Sequence, residues 1–334
     1  TLHKAKYWKK LRESVVQCQL CPKFCVIKDS ETGDCRARKN IDGILYTLNY
    51  GKPVAVHVDP IEKKPLFHFL PGSTSLSIGT AGCNFHCKHC QNWQISQSSP
   101  EDVPYYDLPP EKVVEDALKN RCKSISYTYT EPNIFYEYAL DTATIAKKKG
   151  LKNVFVTNAF INEGPASEIY KYIDAANIDL KSFSDEFYKK ICDASLEPVL
   201  RTIKLVKKKG VWLEITNLLI PGLNDSQEEI KQLCSWIADL DRNIPVHFSR
   251  FFPDYKLLNV PPTPVETLFK AYEIAKDCGL HFVYVGNVIS EKENTYCPKC
   301  GSLIVKRFGF SILEVKIKNG KCNFCKQPIP GVWL

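Results

Sequence analysis

A polar, glycine-containing loop carries three cysteines in the spacing CxxxCxxC: Cys83, Cys87 and Cys90. Soft thiolate ligands select zinc, copper(I) or iron-sulfur clusters, and the polar surroundings argue against thiols that merely pack in a core. A structural zinc site closes its tetrahedron with a fourth ligand, whereas a site that does chemistry keeps one position open. Three cysteines on a cubane cluster, which otherwise takes four, would leave one iron free. A histidine of the same loop could instead close the site.

A second group of four cysteines lies near the start of the chain, within CQLCPKFCVIKDSETGDC. Pro22 and Gly33 supply the turns that would bring the sulfurs together. The spacing predicts a closed four-thiolate metal site, and it fits zinc and a second iron-sulfur cluster equally well. The proposed ligands are Cys18, Cys21, Cys25 and Cys35.

A third group lies near the end of the chain and consists of two CxxC pairs: Cys297 with Cys300, and Cys322 with Cys325. Two such knuckles joined by a hairpin predict a zinc-ribbon-like domain or a rubredoxin-like iron site. A closed four-thiolate site lends folding energy and little chemistry, so its predicted role is structural.

Between these ends, short apolar runs alternate with helical patterns. This alternation predicts an α/β domain whose parallel strands are joined by right-handed crossovers. Chemistry in such a barrel collects where the strands end. The predicted strands are 75–80, 124–130, 153–157, 175–180, 212–220, 246–251 and 281–286. The polar residues at their ends include Glu131, Asn158, Asp179, Lys181, Asn217, His247 and Arg250.

The remaining segments complete a three-part organisation. Apolar residues at helical spacing predict a short amphipathic helix within residues 1–17, and alternation predicts strands at about 44–49 and 53–58. The charged and aromatic segment 59–72 has neither period and is interpreted as a lid. The expected domains are a cysteine-rich segment with this lid (1–72), a barrel (73–288) and a metal-binding domain (289–334).

Composition narrows the class of protein. The 334 residues carry a net charge of +8, but the lysines are spread over many helix ends, so a nucleic-acid surface is not expected. Fifteen cysteines without a secretory signal indicate metal ligands in a reducing compartment rather than a disulfide scaffold. No apolar run reaches the length of a membrane span. We therefore expect a cytoplasmic protein without membrane contact.

Several longer motifs cover nearly the whole chain: CxLCPxxC, DPIEKKPLFHFLPGS, GCNFHCKHCQNWQIS, YTYTEPxIF, NIDLKSFSDEFY, LLIPGLND, HFSRFFPDY, CPKCG and IPGVW. Together they resemble the radical S-adenosylmethionine (SAM) enzymes of the AmmeMemoRadiSam system, a family similar to pyruvate formate-lyase activating enzyme. The resemblance implies a partial (β/α)6-type barrel with SAM lying across the strand ends.

The resemblance also implies roles for particular residues. The three loop cysteines would hold a [4Fe-4S] cluster whose open iron binds SAM, and Glu131 would meet the SAM amino group. Asn158, with the pair Asp179 and Lys181, resembles the ribose and carboxylate contacts. Asn217 matches the segment near the adenine and methionine moieties. The substrate-side candidates, which the resemblance does not assign, are His247, Arg250, Asp254 and Tyr255.

The implied activity is reductive cleavage of SAM to a 5'-deoxyadenosyl radical that abstracts hydrogen from a small molecule or a partner protein. A ferredoxin- or flavodoxin-type protein would supply the electron, and Memo-like and AMMECR-like proteins are the candidate partners. One variant of this hypothesis is a glycyl radical activase. An alternative from another class is a zinc and iron-sulfur binding protein or an electron carrier, which needs neither an open iron nor a polar ring at the strand ends.

Overall fold

The computed structural model describes residues 2–333, and its N-terminal part consists of short strands. They form two antiparallel sheets, in the orders β1-β6-β5 and β2-β3-β4. The helix predicted within residues 1–17 is therefore wrong over the described residues. The β-branched pair Val15 and Val16 favours a strand, and a hairpin can match helical spacing over so short a stretch. The strands are β1 His3–Lys4, β2 Trp8–Arg12, β3 Val15–Cys18, β4 Val26–Ile27, β5 Arg38–Ile41 and β6 Ile44–Thr47.

An eight-stranded sheet forms the centre of the molecule, in the order β14-β13-β12-β11-β10-β9-β8-β7. All neighbouring strands are parallel except β7 and β8. The seven predicted strands are confirmed, and because β7 and β14 do not pair, the sheet is a partial barrel. The strands are β7 Ala55–Pro60, β8 Thr74–Gly79, β9 Ser124–Tyr127, β10 Lys152–Thr157, β11 Ala175–Asp179, β12 Trp212–Leu219, β13 Val246–Arg250 and β14 Val283–Gly286.

Helices connect these strands and cover the sheet. The sequence KKKG occurs twice, at 147–150 and 207–210, and ends a helix each time, with Gly150 and Gly210 at positive φ. The core is dominated by fully buried aliphatic and aromatic side chains such as Ile125, Phe155 and Ile215. The helices are α1 Trp93–Ser96, α2 Pro110–Lys119, α3 Tyr136–Lys148, α4 Glu163–Ile169, α5 Asp185–Phe187, α6 Glu197–Lys208, α7 Gln227–Asp241 and α8 Val265–Asp277. Within residues 2–333, no helix combines the length and apolar character needed to cross a membrane.

The C-terminal part contains five short strands: β15 Thr295–Tyr296, β16 Leu303–Phe308, β17 Ser311–Val315, β18 Ile317–Lys318 and β19 Lys321–Cys322. It is fixed to the barrel through the segment 59–72. Arg307 donates to the Phe67 carbonyl (Nη2 to O, 2.8 Å), and the amides of Phe67 and His68 donate to the buried Glu214 carboxylate on β12. The segment is thus clamped between the sheet and the C-terminal part.

Candidate active site

A cavity of about 520 Å³ opens at the carboxyl ends of the parallel strands. Its size lies in the range typical of small-molecule sites. Each wall follows the end of a strand: the cysteine loop follows β8, Thr128 to Glu131 follow β9, Asn158 follows β10 and Lys181 follows β11. Parallel strands bring their carboxyl ends to one edge, so residues far apart in the chain share this space.

Cys83, Cys87 and Cys90 all line this cavity. The Phe85 amide donates to the Cys83 sulfur (N to Sγ, 3.4 Å), and Cys90 Sγ lies 3.2 Å from Ser96 Oγ. These contacts hold the sulfurs on the inner side of the loop.

Gly82 permits the turn that enters the loop. Its φ is +93°, and a Cβ there would lie 2.4 Å from the carbonyl oxygen of Cys35. Only glycine fits this backbone without displacing the N-terminal segment.

The two loop histidines do not complete a tetrahedral site. His86 Nδ1 lies 2.7 Å from Gln97 Oε1 and Nε2 lies 3.0 Å from Asp34 Oδ2, so both nitrogens face acceptors. That arrangement requires a doubly protonated ring, and the hydrogen bond to Asp34 raises the pKa of His86. His89 is buried and lines the cavity, and its Nδ1 has no partner among the described residues.

These cysteines fit a polynuclear cluster better than a single ion. Within residues 2–333, none of these three sulfurs belongs to a group of three or more potential ligand atoms that all lie within 4.8 Å of one another. Cys192 lies beside Cys87 but does not line the cavity. A cubane spreads its sulfur ligands over separate irons, so wider spacing is what it needs. The three sulfur-bearing residues thus line one cavity without forming a tight single-ion group.

Glu131 presents a buried carboxylate to the cavity. It accepts hydrogen bonds from Thr157 Oγ1 (2.7 Å) and from the amides of Asn158 (2.7 Å) and Asn133 (3.1 Å). Burial nevertheless raises the pKa of Glu131 to about 7, because the hydrogen bonds only partly replace hydration. A bound cation would favour its ionised form, so this carboxylate is suited to receive an ammonium group.

Asn158, Asp179 and Lys181 also line the cavity. Asn158 donates to Asn84 in the cysteine loop (Nδ2 to Oδ1, 2.8 Å), which ties the end of β10 to the loop. Lys181 Nζ contacts Asp179 Oδ2 at 3.0 Å. These side chains offer a neutral amide and a charge pair beside the three sulfurs.

Three predicted site residues do not line the cavity. Asn217 donates to the Leu180 carbonyl (Nδ2 to O, 2.8 Å), while its neighbours Thr216 and Leu218 face the cavity. His247 is buried, with Nε2 2.6 Å from Glu214 Oε2.

The third residue, Arg250, donates to the Thr263 carbonyl (Nε to O, 2.8 Å). Two further candidates, Asp254 and Tyr255, also lie outside the lining, and the Tyr255 ring stacks on Trp93. Successive side chains alternate between faces of a strand, so nearness to a strand end does not decide which residue faces inward.

A lysine pair that the sequence analysis did not single out stands at the cavity wall. Lys63 and Lys64 both line the cavity and contact Asp59 (3.0 and 2.6 Å). Tyr129 also donates to Asp59 (Oη to Oδ2, 2.6 Å), and Lys64 lies over its ring. The signal that could have found this pair is the EKK sequence at 62–64, which lies close after β7 within the motif DPIEKKPLFHFLPGS.

Comparisons with known proteins agree with this geometry. The model of the Radical SAM superfamily matches residues 77–234. An uncharacterized protein of Methanocaldococcus jannaschii is 47% identical over 332 residues, covering 98% of this chain and 99% of that protein. The pyruvate formate-lyase-activating enzyme of Clostridium pasteurianum is 23% identical over 217 residues, covering 59% of this chain and 87% of that enzyme.

A solved structure shows the same fold. The crystal structure of a radical SAM methyltransferase from Sphaerobacter thermophilus matches with a TM-score of 0.52 and 15% identity. The match covers 70% of this chain and 71% of that one. At this identity the likeness concerns the fold alone.

Proposed function

This chain belongs to the radical SAM superfamily, and from that premise we propose that it cleaves SAM reductively to start a radical reaction. The observation that carries the proposal is the set of three cysteine sulfurs lining one wall of a 520 Å³ cavity at the strand ends. An electron carrier would need neither the cavity nor the polar groups around it.

Cys83, Cys87 and Cys90 would hold a [4Fe-4S] cluster. When bound, such a cluster supplies one electron to SAM, whose carbon-sulfur bond breaks to give methionine and a 5'-deoxyadenosyl radical. The absence of these sulfurs from tight single-ion groups among the described residues supports this assignment.

The chain's own residues orient SAM. Glu131, held by Thr157 and two backbone amides, offers a carboxylate to the amino group. Lys181 lines the same cavity and offers a cation to the SAM carboxylate. Asn158 offers its side-chain amide to the ribose hydroxyl groups of SAM. Phe85, Val156 and Leu218 contribute apolar surface to the same cavity.

The resemblance in sequence favours two narrower proposals. Similarity to pyruvate formate-lyase-activating enzymes supports a hydrogen abstraction from a partner protein, as in a glycyl radical activase. The motif resemblance to AmmeMemoRadiSam enzymes supports action together with Memo-like or AMMECR-like proteins. In either case a ferredoxin- or flavodoxin-type donor would supply the electron.

The C-terminal cysteines serve a separate purpose in this proposal. Cys297 Sγ lies 3.6 Å from Cys325 Sγ, and Cys300 Sγ lies 3.9 Å from Cys322 Sγ. A tetrahedral ion with metal-sulfur bonds of about 2.3 Å holds its sulfurs about 3.8 Å apart. This set therefore fits one zinc or iron ion, which would stabilise the C-terminal strands.

The test is anaerobic SAM cleavage by the reconstituted full chain with dithionite, followed by quantification of 5'-deoxyadenosine. We expect turnover in the wild type and none in C83A, C87A or C90A. The matched control is C278A, which removes a thiol far from the loop in sequence and outside the cavity lining. Cleavage that survives all three loop substitutions would overturn the proposal. Iron binding without any SAM cleavage would favour the electron carrier.

A further inference from the structure

Four cysteines of the N-terminal segment line a second, far smaller cavity of about 20 Å³. Cys18 ends β3, Cys21 and Cys25 lie in the connection to β4, and Cys35 lies just before β5. Folding therefore brings together thiols that belong to three connected turns. None of them is needed for the chemistry proposed at the barrel.

The spacing of these sulfurs does not suit a single ion. Within residues 2–333, the four C-terminal cysteines form a group whose sulfurs all lie within 4.8 Å of one another. No three of the N-terminal cysteines form such a group in the same part of the chain. The same structure thus presents one four-thiolate set at zinc-like spacing and another with a wider spread. A cubane, with its ligands on four separate irons, requires the wider spread.

The cavity also supplies hydrogen-bond donors to sulfur. Arg38 is buried, and its Nη1 lies 3.8 Å from Cys18 Sγ. The backbone amides of Lys23 and Ala37 lower the pKa of the Cys21 and Cys35 thiols, although burial outweighs them. Such donors stabilise thiolates and tune the potential of iron-sulfur clusters.

Arg38 also has one guanidinium nitrogen without a hydrogen-bond acceptor among the described residues. It lines the cavity, and its buried Nε has no partner among the described residues. Its other guanidinium nitrogens bond Glu137 and the Lys6 carbonyl. One donor of a guanidinium that also contacts Cys18 is thus without an acceptor among the described residues.

The two cavities share a wall. Asn84 lines the N-terminal cavity, while its neighbours Cys83 and Phe85 line the barrel cavity. The Cys35 carbonyl lies against Gly82, and Asp34 bonds His86. The cysteine loop thus lies between the two sets of sulfurs.

We propose that Cys18, Cys21, Cys25 and Cys35 hold a second [4Fe-4S] cluster that passes single electrons through the shared loop to the barrel site. An external low-potential donor of the ferredoxin or flavodoxin class loses one electron, which reduces the N-terminal cluster from the 2+ to the 1+ state. That cluster returns to 2+ when the electron moves to the site at Cys83, Cys87 and Cys90. The metal assignment stands without the proposed function, whereas the relay rests on it.

Metal identity is tested on the full chain, reconstituted anaerobically with iron and sulfide in the presence of zinc. We expect about eight irons and eight sulfides per chain in two cubanes, and about half of each in the triple variant C83A/C87A/C90A. Acid-labile sulfide separates a cubane from a single iron in the C-terminal set. Zinc without sulfide in the triple variant would overturn the assignment.

A measurement on the wild type guards against a variant that fails to fold. Electron paramagnetic resonance of the dithionite-reduced protein should show two cubane signals. Added SAM should change one of them and leave the other unaltered. A single cubane signal that shifts completely with SAM would contradict a second cluster.

The relay is tested with C21S/C25S, and C278A serves as the matched control. We expect SAM cleavage with a reduced flavodoxin-type donor to fall at least tenfold in C21S/C25S, while the SAM-responsive signal persists. That signal shows that the barrel site is intact. An unchanged rate would overturn the relay. If the wild type itself cleaves no SAM, the proposed function fails, but the iron and sulfide counts still decide the metal assignment.

Discussion

His68 and Tyr284 are joined by a hydrogen bond of 2.6 Å between Nε2 and Oη, deep in the contact between the barrel and the C-terminal part. His68 Nδ1 lies 2.8 Å from the Pro330 carbonyl, which can only accept, so Nδ1 carries the proton. Burial lowers the pKa of His68, so its ring is neutral near pH 7 and Nε2 is an acceptor. Tyr284 then donates to Nε2 and accepts from Thr295, which in turn accepts from Arg307.

Protonation of His68 should weaken this contact. Burial lowers the pKa of His68 to about 4, from an ordinary value of 6.5. A depressed folded-state pKa gives a contribution that is complete above pH 6.5 and is lost as the pH falls toward 4. The loss amounts to at most about 3 kcal/mol in the free energy of unfolding.

Urea unfolding at several pH values should show this fall in the free energy of unfolding in the wild type and not in H68Q. H57Q, which removes an exposed histidine, is the control. Parallel curves for wild type and H68Q would contradict the prediction.

Loss of the Tyr284 hydroxyl should destabilise the same contact. Y284F leaves His68 Nε2 buried without a donor and Thr295 without its acceptor, at a cost of about 1–3 kcal/mol. Y106F, at a tyrosine that is 59% exposed, should change the free energy of unfolding little. Thermal or urea unfolding of the two variants gives the comparison. Equal stability of Y284F and Y106F would show that the hydroxyl chain contributes nothing.

Gly82 and Gly150 allow a matched test of the cysteine loop. Both have positive φ, but a Cβ at Gly150 has no neighbour within 4 Å, whereas one at Gly82 would meet the Cys35 carbonyl. G150A should cost only the left-handed backbone penalty of about 1–2 kcal/mol. G82A adds a clash with backbone, for a total of about 2–5 kcal/mol. We also expect G82A alone to lose iron, measured per chain after reconstitution. Full iron content in G82A would show that the loop tolerates the shift.

The sequence predicted the positions of the barrel strands well, because buried strands consist of short runs of apolar residues. The seven parallel strands are short apolar runs, and their alternation with helical patterns predicted the parallel pairing. The first hairpin was missed because Trp8, Leu11 and Val15 satisfy a helical period by coincidence over so few residues. The wider domain division, with boundaries at 72 and 288, stays a prediction.

Side-chain direction was harder to predict than strand position. Asn217 was chosen at the end of its strand, but its neighbours Thr216 and Leu218 face the cavity, because one residue of register exchanges the two faces. His247 was expected beside the substrate, yet it bonds Glu214 in the core. That pairing depends on a strand that is distant in sequence, so the local pattern contained no sign of it.

Glu131 gives the sharpest test of the SAM-binding proposal. Its pKa of about 7 means that it ionises near neutrality, and an ammonium group binds the ionised form. The dissociation constant of SAM for the reconstituted wild type should therefore rise about tenfold as the pH falls from 8 to 6. E131Q removes the charge, so its SAM affinity should be at least ten times weaker at pH 8 and nearly independent of pH. E163Q, at an exposed helix start, is the control and carries the same cysteine loop. Because the cluster ligands are identical in all three proteins, their own pH effects cancel in the comparison. An E131Q variant with the wild-type pH slope would remove Glu131 from the SAM site.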